Sequence, residues 1–156
     1  MAEALPFDHA ADGIYIGGYQ AIRFADALRA MSIRTVLKLY AGLPHFPADF
    51  NTLDHPTTDN ELIPAAALQR GVDFISEQVR AVQPLLVMCS TGSSRSATFI
   101  LAYQLAQGRD LHESFHTLRR AHPATELHPA MWLSLITHYK LAYTLAQVQG
   151  WGYENG

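Results

Sequence analysis

Residues 84–96 read Pro84-Leu85-Leu86-Val87-Met88-Cys89-Ser90-Thr91-Gly92-Ser93-Ser94-Arg95-Ser96 and are the most informative part of this chain. The apolar run at the start of this stretch predicts a buried strand, and the apolar run that follows, Ala97 to Tyr103, predicts a helix. Small residues join the two. Backbone N–H groups in such a loop, with a helix N-terminus behind them, form a concave site for an anion.

Cys89 and Arg95 give this loop a specific chemistry. A thiol on the floor of an anion site is drawn toward the thiolate, and an arginine six residues on can return as a planar fork for two phosphate oxygens. The combination predicts transfer of a phosphoryl group to sulfur, followed by hydrolysis. The alternative is a cysteine that acts as a small buried hydrophobe. The small residues between Cys89 and Arg95 favour the catalytic interpretation, because they leave the amides free to point inward.

The composition is that of a single globular domain: 156 residues, 49% hydrophobic and 16% charged. The net charge is −3 and no basic run occurs, which argues against nucleic acid as a partner. No stretch approaches the roughly 20 apolar residues of a membrane helix, so we expect no membrane partner. One cysteine excludes an intrachain disulfide, and the N-terminus lacks a signal-peptide pattern. We therefore expect a cytoplasmic protein; the oligomeric state stays open.

Hydrophobic periodicity predicts an alternation of strands and helices, with three helices in succession at the end. The expected strands are Gly13–Gly18, Ile33–Tyr40, Phe50–Leu53 and Leu85–Met88. The expected helices are Phe24–Met31, Ile63–Val82, Ser96–Gln107, one from Asp110 to about His122, and Pro129–Gln147, before a frayed tail at Gly150–Gly156. The fold class is a single-domain α/β protein, core about 12–148, in which helices flank a central, mostly parallel sheet of about four to five strands. The site would lie at the carboxyl end of a central strand.

The loop Cys89–Ser96 resembles the signature of cysteine-based protein phosphatases, Cys-x5-Arg followed by Ser or Thr. Its Gly92 and its Ser-Arg-Ser ending are similar to the dual-specificity branch. Weaker similarities to that branch extend the resemblance over roughly residues 12–145: Gly13–Gly17, Ile33–Leu39, Val72–Ile75 and Leu127–Trp132.

The resemblance implies a role for each residue of the loop. Cys89 would be the nucleophile that forms a phosphocysteine, Arg95 would bind two phosphate oxygens, and Ser96 would hydrogen-bond the sulfur. The amides of Ser90, Thr91, Gly92, Ser93, Ser94 and Arg95 would hold the remaining oxygens, with the Ser94 side chain bracing the loop. Phosphate, sulfate or vanadate would occupy the same loop, and no metal or cofactor would be needed.

The resemblance also implies a general acid on a separate loop, and Asp59 is our choice because it precedes the long helix at a suitable spacing. A carboxylate there could instead be the N-cap of that helix. Asp54 is the rival acid, although the following His-Pro indicates a turn.

Met88 departs from the resemblance, since a histidine usually precedes the cysteine in these phosphatases. A thioether donates no hydrogen bond, so we expect a thiol that ionises less readily and a lower turnover. The loop also carries no Lys or His between Cys89 and Arg95. This absence favours phosphotyrosine in proteins or peptides, with phosphoserine and phosphothreonine, over highly charged inositol lipids. Tyr40 and Phe46 could line the rim of the site or belong to the core.

A second motif, His112-Glu113-Ser114-Phe115-His116, fits the His-Glu-x-x-His pattern of zinc proteases. His122 stands at a plausible spacing for a third ligand. However, Arg119 replaces the glycine that would turn the chain toward it, and a continuing helix would point His122 away from the pair. We therefore expect a solvated helix face and no metal.

Two other functions stay open from the residues alone. One is a module that binds phosphorylated peptides without turning them over, which Met88 favours. The other is a sulfur-transfer or arsenate-reducing enzyme, against which the absence of a partner cysteine argues.

Overall fold

A five-stranded sheet forms the centre of the protein, whose computed structural model describes residues 4–154. Its strands are β1 Phe7–Ala11, β2 Ile14–Gly17, β3 Thr35–Lys38, β4 Asn51–Asp54 and β5 Leu85–Met88. Their order in the sheet is β1-β2-β5-β3-β4, with β1 antiparallel to β2 and the other neighbours parallel. The predicted fold class, a single α/β domain with a mostly parallel sheet of four to five strands, is confirmed.

The central position of β5 follows from its composition. All four of its residues are buried, as are all four of β3, so both faces of these strands must be covered. β5 runs parallel between β2 and β3, with Met88 level with Gly17 and Lys38. Cys89 therefore leaves the sheet at the carboxyl end of its middle strand, as the sequence predicted.

The described residues form six helices. They are α1 Ala25–Ala30, α2 Ala65–Arg80, α3 Arg95–Ala106, α4 Leu111–Ala121, α5 Pro129–His138 and α6 Leu145–Gly150, with 3-10 turns at Tyr19–Phe24 and Trp151–Tyr153. α2 and α3 pack closely because Gly71 leaves room for the ring of Phe99, which a Cβ there would meet at 2.3 Å. Within residues 4–154, no helix combines the length and apolar character needed to cross a bilayer.

The first strand was missed by sequence reasoning. β1 pairs with β2 through a tight turn at Asp12-Gly13, where both residues have positive φ (49° and 79°). Such a turn matches the twist of a hairpin, and Asp-Gly is a strong signal for it. The polar residues Asp8 and His9 obscured the pattern of an edge strand.

The C-terminal region differs from the expected single helix and frayed tail. α5 ends at His138, and α6 begins only after Thr144, whose side chain forms a capping box with Gln147. Trp151 is 7% exposed and packs against the rings of Trp132 and Tyr143 at 5.7 and 4.9 Å. Because this indole belongs to the core, the tail expectation is wrong for residues 150–154; residues 155 and 156 lie outside the described part of the chain.

Candidate active site

The loop between β5 and α3 places a thiol beside a hydroxyl donor. Cys89 is the first residue after β5, and its Sγ accepts a hydrogen bond of 3.0 Å from the fully buried Ser96 Oγ. Cys89 itself is only 1% exposed. A hydroxyl that donates to sulfur favours a sulfur that carries negative charge.

The carbonyl groups of this loop point outward, where neighbouring elements donate to them. Ser90 O accepts from Tyr19 N at 3.0 Å, Ser93 O from Glu126 N at 2.9 Å, and Gly92 O from His122 Nε2 at 2.7 Å. Within residues 4–154, the amides of residues 90–95 have no protein acceptor. The amides therefore face the concave side of the loop, where the N-terminus of α3 adds its positive end.

Two glycines allow the loop to lie directly on the end of β2. Gly92 has φ +76°, and a Cβ there would come within 2.7 Å of Gly17 C. On the other side, a Cβ on Gly18 would come within 2.7 Å of Ser90 O. Backbone contacts backbone here, so no larger residue fits on either side without moving the loop.

The Arg95 guanidinium is anchored on one edge and has an unused donor on the other. Its Nη1 donates to Leu39 O at 3.1 Å and Thr57 O at 2.8 Å, and Nη2 donates to Ser90 Oγ at 2.8 Å. Among the described residues, Nε is buried and has no hydrogen-bond partner. A buried unsatisfied donor costs about 1–3 kcal/mol, so an anion that accepts from it is favoured.

The structure separates the two candidate acids. Asp59 Oδ1 lies 3.9 Å from Arg95 Nε, and the Asp59 side chain is half exposed. Asp59 does not cap α2, whose N-cap is Pro64. Asp54 instead contacts Lys38 Nζ at 3.1 Å, and Lys38 is 1% exposed. Asp54 is therefore held by a buried ammonium group, whereas Asp59 lies beside the arginine of the loop.

The remaining hydroxyls of the loop have distinct positions. Ser94 Oγ is buried and accepts a hydrogen bond of 3.0 Å from His128 N at the start of α5. Thr91 Oγ1 and Ser93 Oγ lie 2.7 Å apart and share a hydrogen bond. Ser94 thus ties the loop to α5, while the other two hydroxyls bond to each other.

His122 was missed as a residue of this site because the sequence suggested only a metal ligand. It is buried at the end of α4, with Nε2 on Gly92 O and Nδ1 2.6 Å from Asp8 Oδ2. The Gly92 carbonyl can only accept, so Nε2 must carry the hydrogen of that bond, and Asp8 holds the other ring nitrogen. Asp8 is 114 residues away along the chain, and no local pattern could reveal this contact.

Three further residues lie away from the concave side of the loop. Met88 is fully buried in the apolar cluster on the α1 side of the sheet and offers no donor. Tyr40 and Phe46 belong to the same cluster, so the expectation of rim aromatics is wrong and the core alternative holds. Burial, together with the charges of Tyr19 and Asp54, raises the pKa of Tyr40 to about 12.

The expected solvated face of the His-Glu-x-x-His helix is also wrong. Glu113 is exposed, but His116 is buried and His112 is half-buried. As expected, His122 lies apart from this pair, because it contacts the Cys89 loop instead.

This chain is similar to dual specificity phosphatases. The family model of the dual specificity phosphatase catalytic domain matches residues 14–140. Mouse dual specificity protein phosphatase 2 is 31% identical over 121 residues, which are 76% of this chain and 36% of that protein. Human dual specificity protein phosphatase 1 is 32% identical over 122 residues, which are 76% of this chain and 31% of that protein. The chain thus spans about a third of the length of these relatives.

The fold is also similar to that of a solved dual specificity phosphatase. A crystal structure of a mouse putative dual specificity phosphatase complexed with zinc tungstate superposes with a TM-score of 0.81 at 23% sequence identity. The match covers 97% of this chain and 94% of that one. Fold and loop together define a cysteine-based phosphatase domain. The chain belongs to the dual-specificity phosphatase family.

Proposed function

We propose that this protein hydrolyses phosphate monoesters of tyrosine, and of serine and threonine, in proteins through a phosphocysteine intermediate. The observation that carries the proposal is the buried Arg95 Nε, an unpartnered cationic donor in the loop that begins with Cys89. A phosphate dianion would accept from Nε–H and from the Nη2–H that is not used on Ser90 Oγ. The inward amides of residues 90–95 would hold the remaining oxygens.

In the first step, Cys89 Sγ attacks phosphorus and the bond to the leaving oxygen breaks. Asp59 supplies the proton to that oxygen, which a half-exposed carboxyl beside Arg95 can reach from the open side of the loop. Arg95 and the amides stabilise the charge that spreads over the phosphoryl oxygens.

In the second step, Asp59 takes a proton from water, and the water oxygen attacks the phosphocysteine. The sulfur leaves as a thiolate, and the hydrogen bond from Ser96 Oγ at 3.0 Å stabilises its charge. Inorganic phosphate is the product. Cys89, Arg95, Asp59 and Ser96 are the catalytic residues of this proposal.

The substrate class follows from the charge of the loop. Arg95 is its only cation, which suits a single phosphate ester on a peptide better than a densely phosphorylated lipid headgroup. Tungstate, which accompanies the mouse structure, is a tetrahedral oxyanion of the same shape as phosphate and vanadate. We therefore propose a phosphorylated protein or peptide as partner and vanadate as a competitor.

A module that binds phosphopeptides without turnover is the second candidate. Two observations favour it: the 1% exposure of Cys89 and the buried thioether of Met88 in place of a donor. The experiment is single-turnover mixing of enzyme with a phosphotyrosine peptide, with Cys89→Ser as the matched control. Release of phosphate by the wild type alone supports the hydrolase. Retention of intact peptide by both proteins supports the binding module and contradicts the hydrolase.

A further inference from the structure

Three side chains that the phosphatase site does not use meet at one point on α4. His112 Nε2 and His116 Nε2 each lie 3.0 Å from Glu154 Oε2, and the two nitrogens lie 3.2 Å apart. We call these residues the His112–His116–Glu154 cluster. The histidines are one helical turn apart, whereas Glu154 follows the C-terminal 3-10 turn.

Hydrogen bonding alone cannot satisfy this triangle. A neutral imidazole carries one hydrogen, so each Nε2 is either a donor or an acceptor. If both nitrogens donate to Glu154 Oε2, the two nitrogens lie 3.2 Å apart with no hydrogen bond between them. If one histidine donates to the other, the acceptor nitrogen turns a lone pair toward the carboxylate. At least one of the three contacts is therefore unfavourable without a cation.

A metal ion would satisfy all three lone pairs at once. Ligands at the zinc–nitrogen distance of about 2.0–2.1 Å in a tetrahedron are about 3.3–3.4 Å apart. The edges of the triangle are 3.0–3.2 Å, close to that value. The two imidazole planes are 86° apart with ring centroids at 4.6 Å, so the rings meet edge to face and do not stack.

The surrounding contacts hold the carboxylate against the helix. The indole of Trp151 packs against the His112 ring with 4.6 Å between ring centroids. The backbone carbonyl of Trp151 accepts a hydrogen bond of 3.2 Å from Arg119 Nη1.

We propose that His112 Nε2, His116 Nε2 and a carboxylate oxygen of Glu154 bind one Zn²⁺ ion, which ties the C-terminal segment to α4. Two imidazoles, one carboxylate and a position left for water form a common zinc ligand set. The sequence motif supplied only the histidine pair. Glu113, the base of a zinc protease helix, is exposed and lies outside the triangle, so the base of that motif is not part of this site. The site is independent of the proposed phosphatase reaction.

The test is a Zn²⁺ titration of the untagged, chelator-treated full chain that carries Cys89→Ser, so that no thiolate competes for the metal. Competition with a chromogenic chelator measures affinity and stoichiometry. Thermal unfolding gives a second readout, and the absorption spectrum of the Co²⁺ form a third. We expect one equivalent of Zn²⁺, a higher Tm in its presence, and a tetrahedral Co²⁺ spectrum.

His112→Ala and Glu154→Gln should each weaken Zn²⁺ binding at least about tenfold. Even the mutation of a group that only hydrogen-bonds to a metal ligand typically lowers metal affinity about tenfold or more. Both positions are partly exposed, so these variants avoid the folding risk of a change at the buried His116. Glu113→Gln is the matched control on the same helix and should bind Zn²⁺ like the parent. No stoichiometric binding, or equal binding by parent and Glu154→Gln, would overturn the proposal, as would a loss in Glu113→Gln as large as in Glu154→Gln.

Discussion

Replacing Arg95 by lysine keeps the positive charge but removes the fork, and the structure gives the size of the effect. Two N–H groups of Arg95 are used on Leu39 O and Thr57 O, and a third on Ser90 Oγ. The Nε–H and one Nη2–H are left for a phosphoryl group. A lysine ammonium has three N–H groups at one point and cannot span the two carbonyls and two phosphate oxygens together.

The expected loss is that of two charge-assisted hydrogen bonds in the transition state. At about 1.5–3 kcal/mol for each, Arg95→Lys costs about 3–6 kcal/mol. This corresponds to a fall in kcat/KM of roughly 10²- to 10⁴-fold. Because the charge stays, the binding of inorganic phosphate should fall less than kcat/KM does.

The assay is hydrolysis of an aryl phosphate, with phosphate inhibition measured on the same proteins. Arg34→Lys is the matched control, since Arg34 is exposed and contacts Asp49 on the surface. Thermal unfolding of both variants identifies a loss that comes from misfolding. Arg95→Lys that folds and retains kcat/KM within threefold of the wild type would refute the role assigned to the fork.

Three further predictions concern the acid, the loop backbone and the stability of the surface. Asp59→Asn should lower kcat about 10²- to 10⁴-fold for alkyl phosphates and less for aryl phosphates, because a poor leaving group depends most on protonation. Asp54→Asn should preserve the leaving-group dependence of the wild type. The reverse pattern would transfer the role of general acid to Asp54. Gly92→Ala should destabilise the protein by about 1–3 kcal/mol, measured by urea unfolding. The control is Gly108→Ala, which should cost less, because Gly108 also has a positive φ but a Cβ there would have no atom within 4 Å. Equal losses in the two variants would contradict the close packing of the loop. The pKa of Asp49 is lowered from 3.8 by its hydrogen bond to Arg29. The contribution of this contact to the free energy of unfolding is therefore present above pH 3.8 and disappears as the pH falls through the lowered pKa. The difference in stability between wild type and Asp49→Asn should shrink between about pH 5 and pH 2, and a constant difference would refute this prediction.

The elements that carry their own signal could be predicted from the sequence. β5, the loop after it and α3 each have a local pattern, so their order and boundaries agree with the structure to within one or two residues. β1 has only an edge position and polar residues to mark it, and its clearest signal is the turn at Asp12-Gly13. The break between α5 and α6 was hidden by continuous apolar spacing, although Thr144 and Gln147 form a readable capping box.

The candidate active site also has a part that could be predicted from the sequence and a part that could not. The residues of the loop itself are adjacent in sequence, so their chemistry could be inferred from their order. The groups that shape the loop are not: the carbonyls of Leu39 and Thr57, and His122, come from three separate elements. Glu154 lies 38 residues beyond His116, so only the folded C-terminal segment brings it to the helix.

Selective alkylation of Cys89 tests most directly whether an ionised sulfur lies at the floor of an anion site. The chain has one cysteine, so iodoacetate incorporation into the native protein reports this thiol alone. We predict modification at neutral pH under native conditions, with vanadate slowing it at the concentrations that inhibit hydrolysis. A thiol that reacts only after denaturation, or at a rate that vanadate leaves unchanged, would contradict the proposed mechanism.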